Sequence, residues 1–306
     1  AKRSRSGSSV ETVMRKFDFL LIGAQKSATS WLWDKLDQHP GTDLPAEKEI
    51  HYFGGAELYG RGPDWYYQHF ENTDPELLTG EASTSYLYDR VPYWNNDGRA
   101  IEYAEDLPTI PELVAAENPD AKIVVVLRDP VHRAVSAYRH WTKKGLESPL
   151  IGLRRTALEH PKMRILEYGF YARYLEAWRK VFPAENFHIM IFEEDVKRNP
   201  EAGLRNLYEF LGLDKDFQAQ ERENKVHKSW SWTRGVVRYY SGPFRRILAR
   251  GPIGEFLDRS DFLKRFAMRR SDIEYLRECY LPEKGELEKM LGRSLDAWDY
   301  GERLTT

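Results

Sequence analysis

Three short stretches of this 306-residue chain carry side chains spaced for chemistry on an anion. In "GAQKSATSW", residues 23–31, an apolar run gives way to Gly23 and a loop with Lys26, Ser27, Thr29 and Ser30, and a helical pattern begins near Trp31. The first N–H groups of a helix lack intrahelical acceptors and lie at its positive end, so this order suits a phosphate or sulfate. Lys26 adds a full charge and the hydroxyls add donors. An NTPase loop, G-x-x-x-x-G-K-[ST], sets its lysine late and next to a magnesium-binding hydroxyl. Here Lys26 follows Gly23 by only three residues and the second glycine is absent. A plain turn with a solvent lysine fits the same letters.

The second stretch is "VVVLRDPVHRAVSAYRHW", residues 124–141. Arg128 ends a strand-like run and Ser136 lies eight residues on, two helical turns along, so both can face one crevice at the carboxyl edge of a sheet. The guanidinium fork matches phosphate geometry, and serine offers one hydroxyl. In the third, "LPAEKEIHYF", residues 44–53, Glu49 and His51 alternate with Ile50 and Tyr52. An extended segment would point the carboxylate and imidazole the same way, as a proton-transfer pair. The plain alternatives are an Arg128–carboxylate ion pair, a Ser136 that fills helix packing, and an E-x-H without function.

The elements that must position these groups follow from periodicity. Apolar runs at 17–23, 122–129 and 187–195 predict buried parallel strands. Asp129 and Pro130 predict a helix start, with a helix over 130–144; residues 166–182 set Tyr171, Tyr174, Trp178 and Val181 on one helical face as core; 199–213 opens on Asn-Pro and closes near Gly212. The predicted class is a single three-layer α/β domain, a central, mostly parallel sheet with helices on both faces. Residues 54–120 are dense in turn formers and predict long loops, which often line a site.

Composition narrows the class. With 41% hydrophobic and 31% charged residues the chain is globular, and no apolar run is long enough to span a bilayer. Residues 1–16 are expected to be a disordered leader, a cloning remnant or a truncated stalk, leaving 17–306 as the domain. A single cysteine, Cys279, excludes an intrachain disulfide, and with no N-x-Ser/Thr sequon the expectation is a bacterial-type cytoplasm, a truncated Golgi-lumenal domain being the alternative. From Arg222 to Arg270 there are 13 Lys/Arg against 4 Asp/Glu, a local +9. That block is either a solvated face or an electropositive wall over an anionic ligand; its aromatics, Trp230, Trp232, Tyr239 and Tyr240, are expected to pack.

In this order the three stretches resemble the sulfotransferases that use 3′-phosphoadenosine 5′-phosphosulfate (PAPS), especially the heparan sulfate branch and its bacterial relatives. The resemblance covers most of 17–300, excepting roughly 54–79 and 222–268. It implies that Lys26 and the backbone of Gln25, Lys26, Ser27, Ala28, Thr29 and Ser30 bind the 5′-phosphosulfate, and that Arg128 and Ser136 bind the 3′-phosphate. It also implies that Glu49 is the general base with His51 beside it, and that Lys26 stabilises charge on the leaving phosphate. Lys264 and Arg265, with Arg269 and Arg270 as further candidates, stand where a basic loop closes over the cofactor. No metal is expected. Three departures stand out. Ala28 replaces a common glycine, which calls for a negative φ at that residue. Ala82 replaces a common lysine, and Gly54 lies where an acidic residue often follows, so a heparan-like acceptor is less favoured. The expected acceptor is a saccharide hydroxyl, with a lipid, polyketide or small-metabolite hydroxyl as the alternative. More distant alternatives are a P-loop nucleotide kinase and a polyanion-binding module; no nucleic-acid partner is expected.

Overall fold

The computed structural model describes residues 16–93, 102–144, 148, 150–222, 239–240 and 268–305. Four strands, β1 (Phe19–Gly23), β2 (Gly80–Ala82), β3 (Lys122–Leu127) and β4 (Phe187–Ile191), form a parallel sheet in the order β2-β1-β3-β4. Leu21 pairs with Ala82 on one side and Val124 on the other, and Leu127 with Ile191. Because the chain leaves β1 toward β2 on one side and returns to β3 on the other, the crevice between the carboxyl ends of β1 and β3 is a topological switch point.

Period-two alternation divides the strands between two cores. Phe19, Leu21, Val124, Val126 and Met190 face helices α1 (Thr29–Asp37) and α8 (Pro200–Leu211) through Leu32, Leu36, Leu207 and Tyr208. Leu20, Ile22, Ile123, Val125 and Leu127 face the larger core, which holds α5 (Pro130–Lys144) and α7 (Tyr171–Arg179). The same core takes Leu153 and Ala157 of α6 (Leu153–Glu159), Ile273, Leu276 and Tyr280 of α9 (Arg270–Tyr280), Leu287 of α10 (Lys284–Leu291), and Leu295 and Trp298 beyond it. The expected three layers are present, and Tyr171, Tyr174 and Trp178 are core residues as predicted.

Several boundaries differ from the sequence reading. Residues 192–198, expected partly as strand, turn into a π-helical segment. Its acids bind inward: Asp195 accepts from the Ile191 N–H at 2.6 Å, Glu193 accepts from the Asp129 N–H at 3.2 Å and from Trp298 at 2.8 Å, and Arg293 pairs with Glu194 and Asp195. Helix α7 starts at Tyr171, after a 3-10 turn over Glu167–Gly169. The stretch 54–120 is less loop-like than expected. It holds α2 (Ala56–Tyr59), α3 (Pro63–Tyr67), β2 and α4 (Ile110–Glu117), the last opened by a reciprocal Thr109–Glu112 capping box.

Asp129 caps α5 as predicted. Its Oδ1 accepts from the N–H groups of Val131 and His132 at 2.9 and 3.1 Å, and its Oδ2 from the Tyr300 N–H at 2.7 Å. Residues 213–222 run back along α1, where buried Lys35 donates to the Gln220 carbonyl at 2.6 Å and pairs with Glu221 at 3.0 Å. Arg222 pairs with Asp34 and Asp37. Most of the remaining basic block, with Lys264, Arg265, Trp230 and Trp232, lies outside the described residues. Tyr239 and Tyr240 are exposed but meet edge-on at 4.9 Å, with the Tyr240 hydroxyl 2.6 Å from Ser148 Oγ, and Arg270 is paired with Glu274 at 3.0 Å.

Candidate active site

The loop between β1 and α1 lies at the switch point. The Ala24 N–H donates to the Val126 carbonyl of β3 at 2.8 Å, which binds the loop to the neighbouring strand's end. Lys26 (φ 70°) and Ala28 (φ 65°) are both left-handed, and Ala28 is the residue before α1, which begins at Thr29 rather than near Trp31. The sequence expectation of a negative φ at Ala28 is therefore corrected. A turn that aims successive N–H groups into one concavity alternates right- and left-handed residues, and here the methyl group tolerates the strained well. No side-chain cap is bonded at the start of α1, which leaves its first N–H groups without a capping acceptor at the end of the loop.

Near the loop stand buried polar atoms without a hydrogen-bond partner among the described residues: Gln25 Oε1, Ser27 Oγ and Arg128 Nε. Arg128, just past β3, donates to the Lys26 carbonyl at 3.0 Å and lies over the Phe192 ring at 4.8 Å. The Lys26 ammonium is pushed below its ordinary pKa by burial first, then by the Lys144 and Arg128 charges, against the opposing pull of Glu49. Half-buried Lys26 and Arg128, with exposed Lys144 near them, repel one another beside an uncapped helix start, an arrangement that suits an anion. The residues fit a multiply charged phosphate ester. Thr29 is buried and Ser30 exposed at the helix start. Ser136 is half-buried on α5, two turns beyond Arg128, and no hydrogen bond joins it to the loop among the described residues.

The E-x-H pair is brought together by a different backbone from the extended one expected. Glu49 (φ 67°) and His51 (φ 60°) are both left-handed, and the turn between them leaves Glu49 Oε2 3.9 Å from His51 Nε2. The other ring nitrogen, Nδ1, is 2.8 Å from Ser85 Oγ. Burial holds the imidazole below its ordinary pKa and Lys48 adds to this, while Glu49 opposes both. Gly54 stands against the same serine, since a Cβ there would collide with Ser85 Oγ.

Four residues that sequence reasoning passed over complete the site. Lys48 Nζ lies 3.1 Å from Ser30 Oγ and 3.4 Å from Glu49 Oε1, so one ammonium touches both the anion loop and the carboxylate. His140, one turn beyond Ser136 on α5, sets Nδ1 3.4 Å from Lys26 Nζ. Its pKa falls to about 4, through burial first and then the charges of Lys26, Lys144 and Lys143, so it is a neutral acceptor for the lysine. Ser85 and buried Glu81 hold the His51 segment. Lys48 and His140 were signalled as polar neighbours of motif residues, and Glu81 and Ser85 lie in the stretch 80–89 that resembles a substrate-cleft segment; their contacts with His51 come from the fold. A cavity of about 620 Å³ opens on this centre, lined by Glu49, His51, His140, Trp141, Lys144 and Tyr168 among others. Asp129, His132 and Asp299 form a trio of metal-ligand type, but Asp129 caps α5 and His132 binds Asp299 at 2.8 Å.

A loop with the chemistry of an anion cradle thus stands at the switch point of a parallel sheet, beside a carboxylate–imidazole pair. Residues 16–234 match the family model described as "Sulfotransferase domain", and the chain belongs to that family. It is 26% identical over 179 residues to the human protein named heparan sulfate glucosamine 3-O-sulfotransferase 5, covering 56% of this chain and 46% of that one. It is 30% identical over 218 residues to the bifunctional heparan sulfate N-deacetylase/N-sulfotransferase of Drosophila melanogaster, covering 64% and 19%. The chain thus spans less than half the length of these curated relatives. A solved sulfotransferase from Alicyclobacillus acidocaldarius shares the fold at a TM-score of 0.63 and 25% identity, over 93% of this chain and 99% of that one.

Proposed function

We propose that residues 17–306 form one catalytic unit that transfers the sulfuryl group of PAPS to an acceptor hydroxyl. The observation that carries this reading is Lys48, whose ammonium lies within reach of Ser30 on the anion loop and of Glu49 at once. It sets the donor loop and a proton acceptor on two sides of one point. In the reaction Glu49 takes the proton of the acceptor hydroxyl as its oxygen bonds to sulfur, and the sulfur–oxygen bond to the 5′-phosphate breaks. Lys26 and the α1 N-terminus stabilise the charge left on that phosphate, releasing adenosine 3′,5′-bisphosphate. Arg128, with Ser136, holds the 3′-phosphate; Gln25, Ser27, Thr29 and Ser30 complete the donor loop. His51, fixed by Ser85, orients Glu49.

A saccharide hydroxyl is the acceptor we favour, since the relatives above are named for heparan sulfate. Leu58, Trp141, Met163 and Tyr168 give the cavity an apolar side, which favours as second reading a small-metabolite hydroxyl with an apolar body. Labelled sulfate from PAPS, offered with saccharide, lipid and phenolic acceptors, tests the proposal. The wild-type chain should label at least one, and Glu49→Gln should lose at least a hundredfold in turnover while binding adenosine 3′,5′-bisphosphate within about twofold of wild type. Full turnover by the variant would remove Glu49 as the base.

A further inference from the structure

Glu81 is the middle residue of β2, and none of its surface reaches solvent. Burying a carboxylate is costly unless donors surround it. Four converge on it: the Tyr66 hydroxyl at 2.9 Å, the Tyr86 hydroxyl at 2.8 and 2.9 Å, the Ser83 hydroxyl, and the His51 N–H at 3.3 Å. No lysine or arginine forms an ion pair with it among the described residues. Burial pushes the Glu81 carboxyl above its ordinary pKa, against the opposing pull of the Ser83, Tyr86 and Tyr66 hydroxyls and the His51 N–H. An apolar residue of similar volume would need none of these donors, so packing alone does not explain the residue.

What the carboxylate supports is the segment bearing Glu49 and His51. Two left-handed residues in a run of three cost about 1–2 kcal/mol each, and such backbone persists only where its surroundings dictate it. The Glu49 N–H donates to the Ala82 carbonyl at 3.1 Å, the His51 N–H to Ser83 Oγ at 2.9 Å and to Glu81, and Ser85 holds the ring. The two tyrosines that bind Glu81 also grip the next residues. Tyr66 stacks on Tyr52 with centroids 4.5 Å apart, and Tyr86 meets Phe53 edge-on at 5.4 Å and accepts from its N–H at 3.4 Å. Every polar contact of Glu81 therefore leads to residues 51–53, directly or through one hydroxyl.

We propose that Glu81 is a positioning residue that holds Glu49 and His51 in their reactive arrangement, through the His51 backbone and the hydroxyls of Ser83, Tyr66 and Tyr86. The inference rests on the sulfotransferase reading only in taking Glu49 as the base. Glu81→Gln turns one acceptor oxygen into a donor that opposes the hydroxyls, and Tyr86→Phe removes the donor that reaches both oxygens. Turnover is measured on the acceptor that the panel identifies and is expressed per bisphosphate-binding site, so that misfolded chains are not counted. We expect Glu81→Gln to lose at least tenfold and Tyr86→Phe several-fold, with bisphosphate affinity within twofold of wild type. Amide hydrogen exchange reads the same claim without an acceptor: residues 49–53 should exchange at least tenfold faster in both variants, and β1 and β3 at unchanged rates. If Glu81→Gln does not fold, Tyr86→Phe decides. Unchanged exchange at 49–53 in the folded variants, or unchanged per-site turnover, overturns the proposal. A wild-type chain that binds no bisphosphate overturns the donor assignment instead, and leaves the exchange result to judge Glu81.

Discussion

Ala28 shows how a single methyl group records a compromise at the anion loop. At φ 65° it occupies a well that glycine enters freely, and the strain is retained because the loop needs that turn to present its N–H groups. Ala28→Gly should raise the unfolding free energy by about 1 kcal/mol, measured by urea denaturation. The gain will be smaller if the extra freedom of glycine in the unfolded chain offsets it. At Gly54 the constraint runs the other way. A side chain there collides with Ser85 Oγ, so the acidic residue that the resemblance associates with this position is incompatible with Ser85 in its present rotamer. The departure at 54 is thus tied to the hydrogen bond that fixes His51.

At the scale of elements, α5 depends on Asp129, which caps its first turn and also accepts from the Tyr300 N–H. Asp129→Ala should cost about 2 kcal/mol, a lost cap plus an orphaned buried donor, in the same urea experiment. The strands β1, β3 and β4 and the helices α5 and α8 were legible because burial on both faces leaves continuous apolar runs and because caps are written locally. β2 was not. It is three residues long, "GEA", too short for periodicity to show, and its glutamate is buried only because Tyr66, Tyr86 and the His51 backbone arrive from elsewhere in the chain. The π-helical end of β4 was hidden in the same way, since Glu193 and Asp195 serve as internal acceptors. Lys26, Arg128, Glu49 and His51 were legible as types at a spacing, and the structure gathers them. The left-handed backbone that joins Glu49 to His51 was not legible, because it is imposed by β2 and its following turn.

The whole molecule carries a pH signature from β4. His188, stacked on Phe210 at 5.3 Å, has its pKa lowered to about 4 by burial, against the pull of Asp195. A histidine depressed in the fold is neutral there while the unfolded chain protonates near pH 6.5, so the unfolded state binds more protons between these values. Stability is full above the unfolded pKa and falls as pH drops toward the folded one. Between pH 7 and 5 the wild type should lose about 2 kcal/mol or less through this group, and His188→Gln should lose correspondingly less over the same interval in urea titrations at both pH values.

The C-terminal helices α9 and α10 give the larger core much of its cover, and the Tyr300 backbone closes the cap of α5. The span matched by the family model stops at residue 234, well short of them. A gene fragment trimmed to that span would leave α5 with bare apolar surface and Asp129 without one of its donors, on the very helix that carries Ser136 and His140. The segment by which the family is detected is therefore shorter than the one that packs around α5, and an expression boundary beyond Tyr300 keeps both.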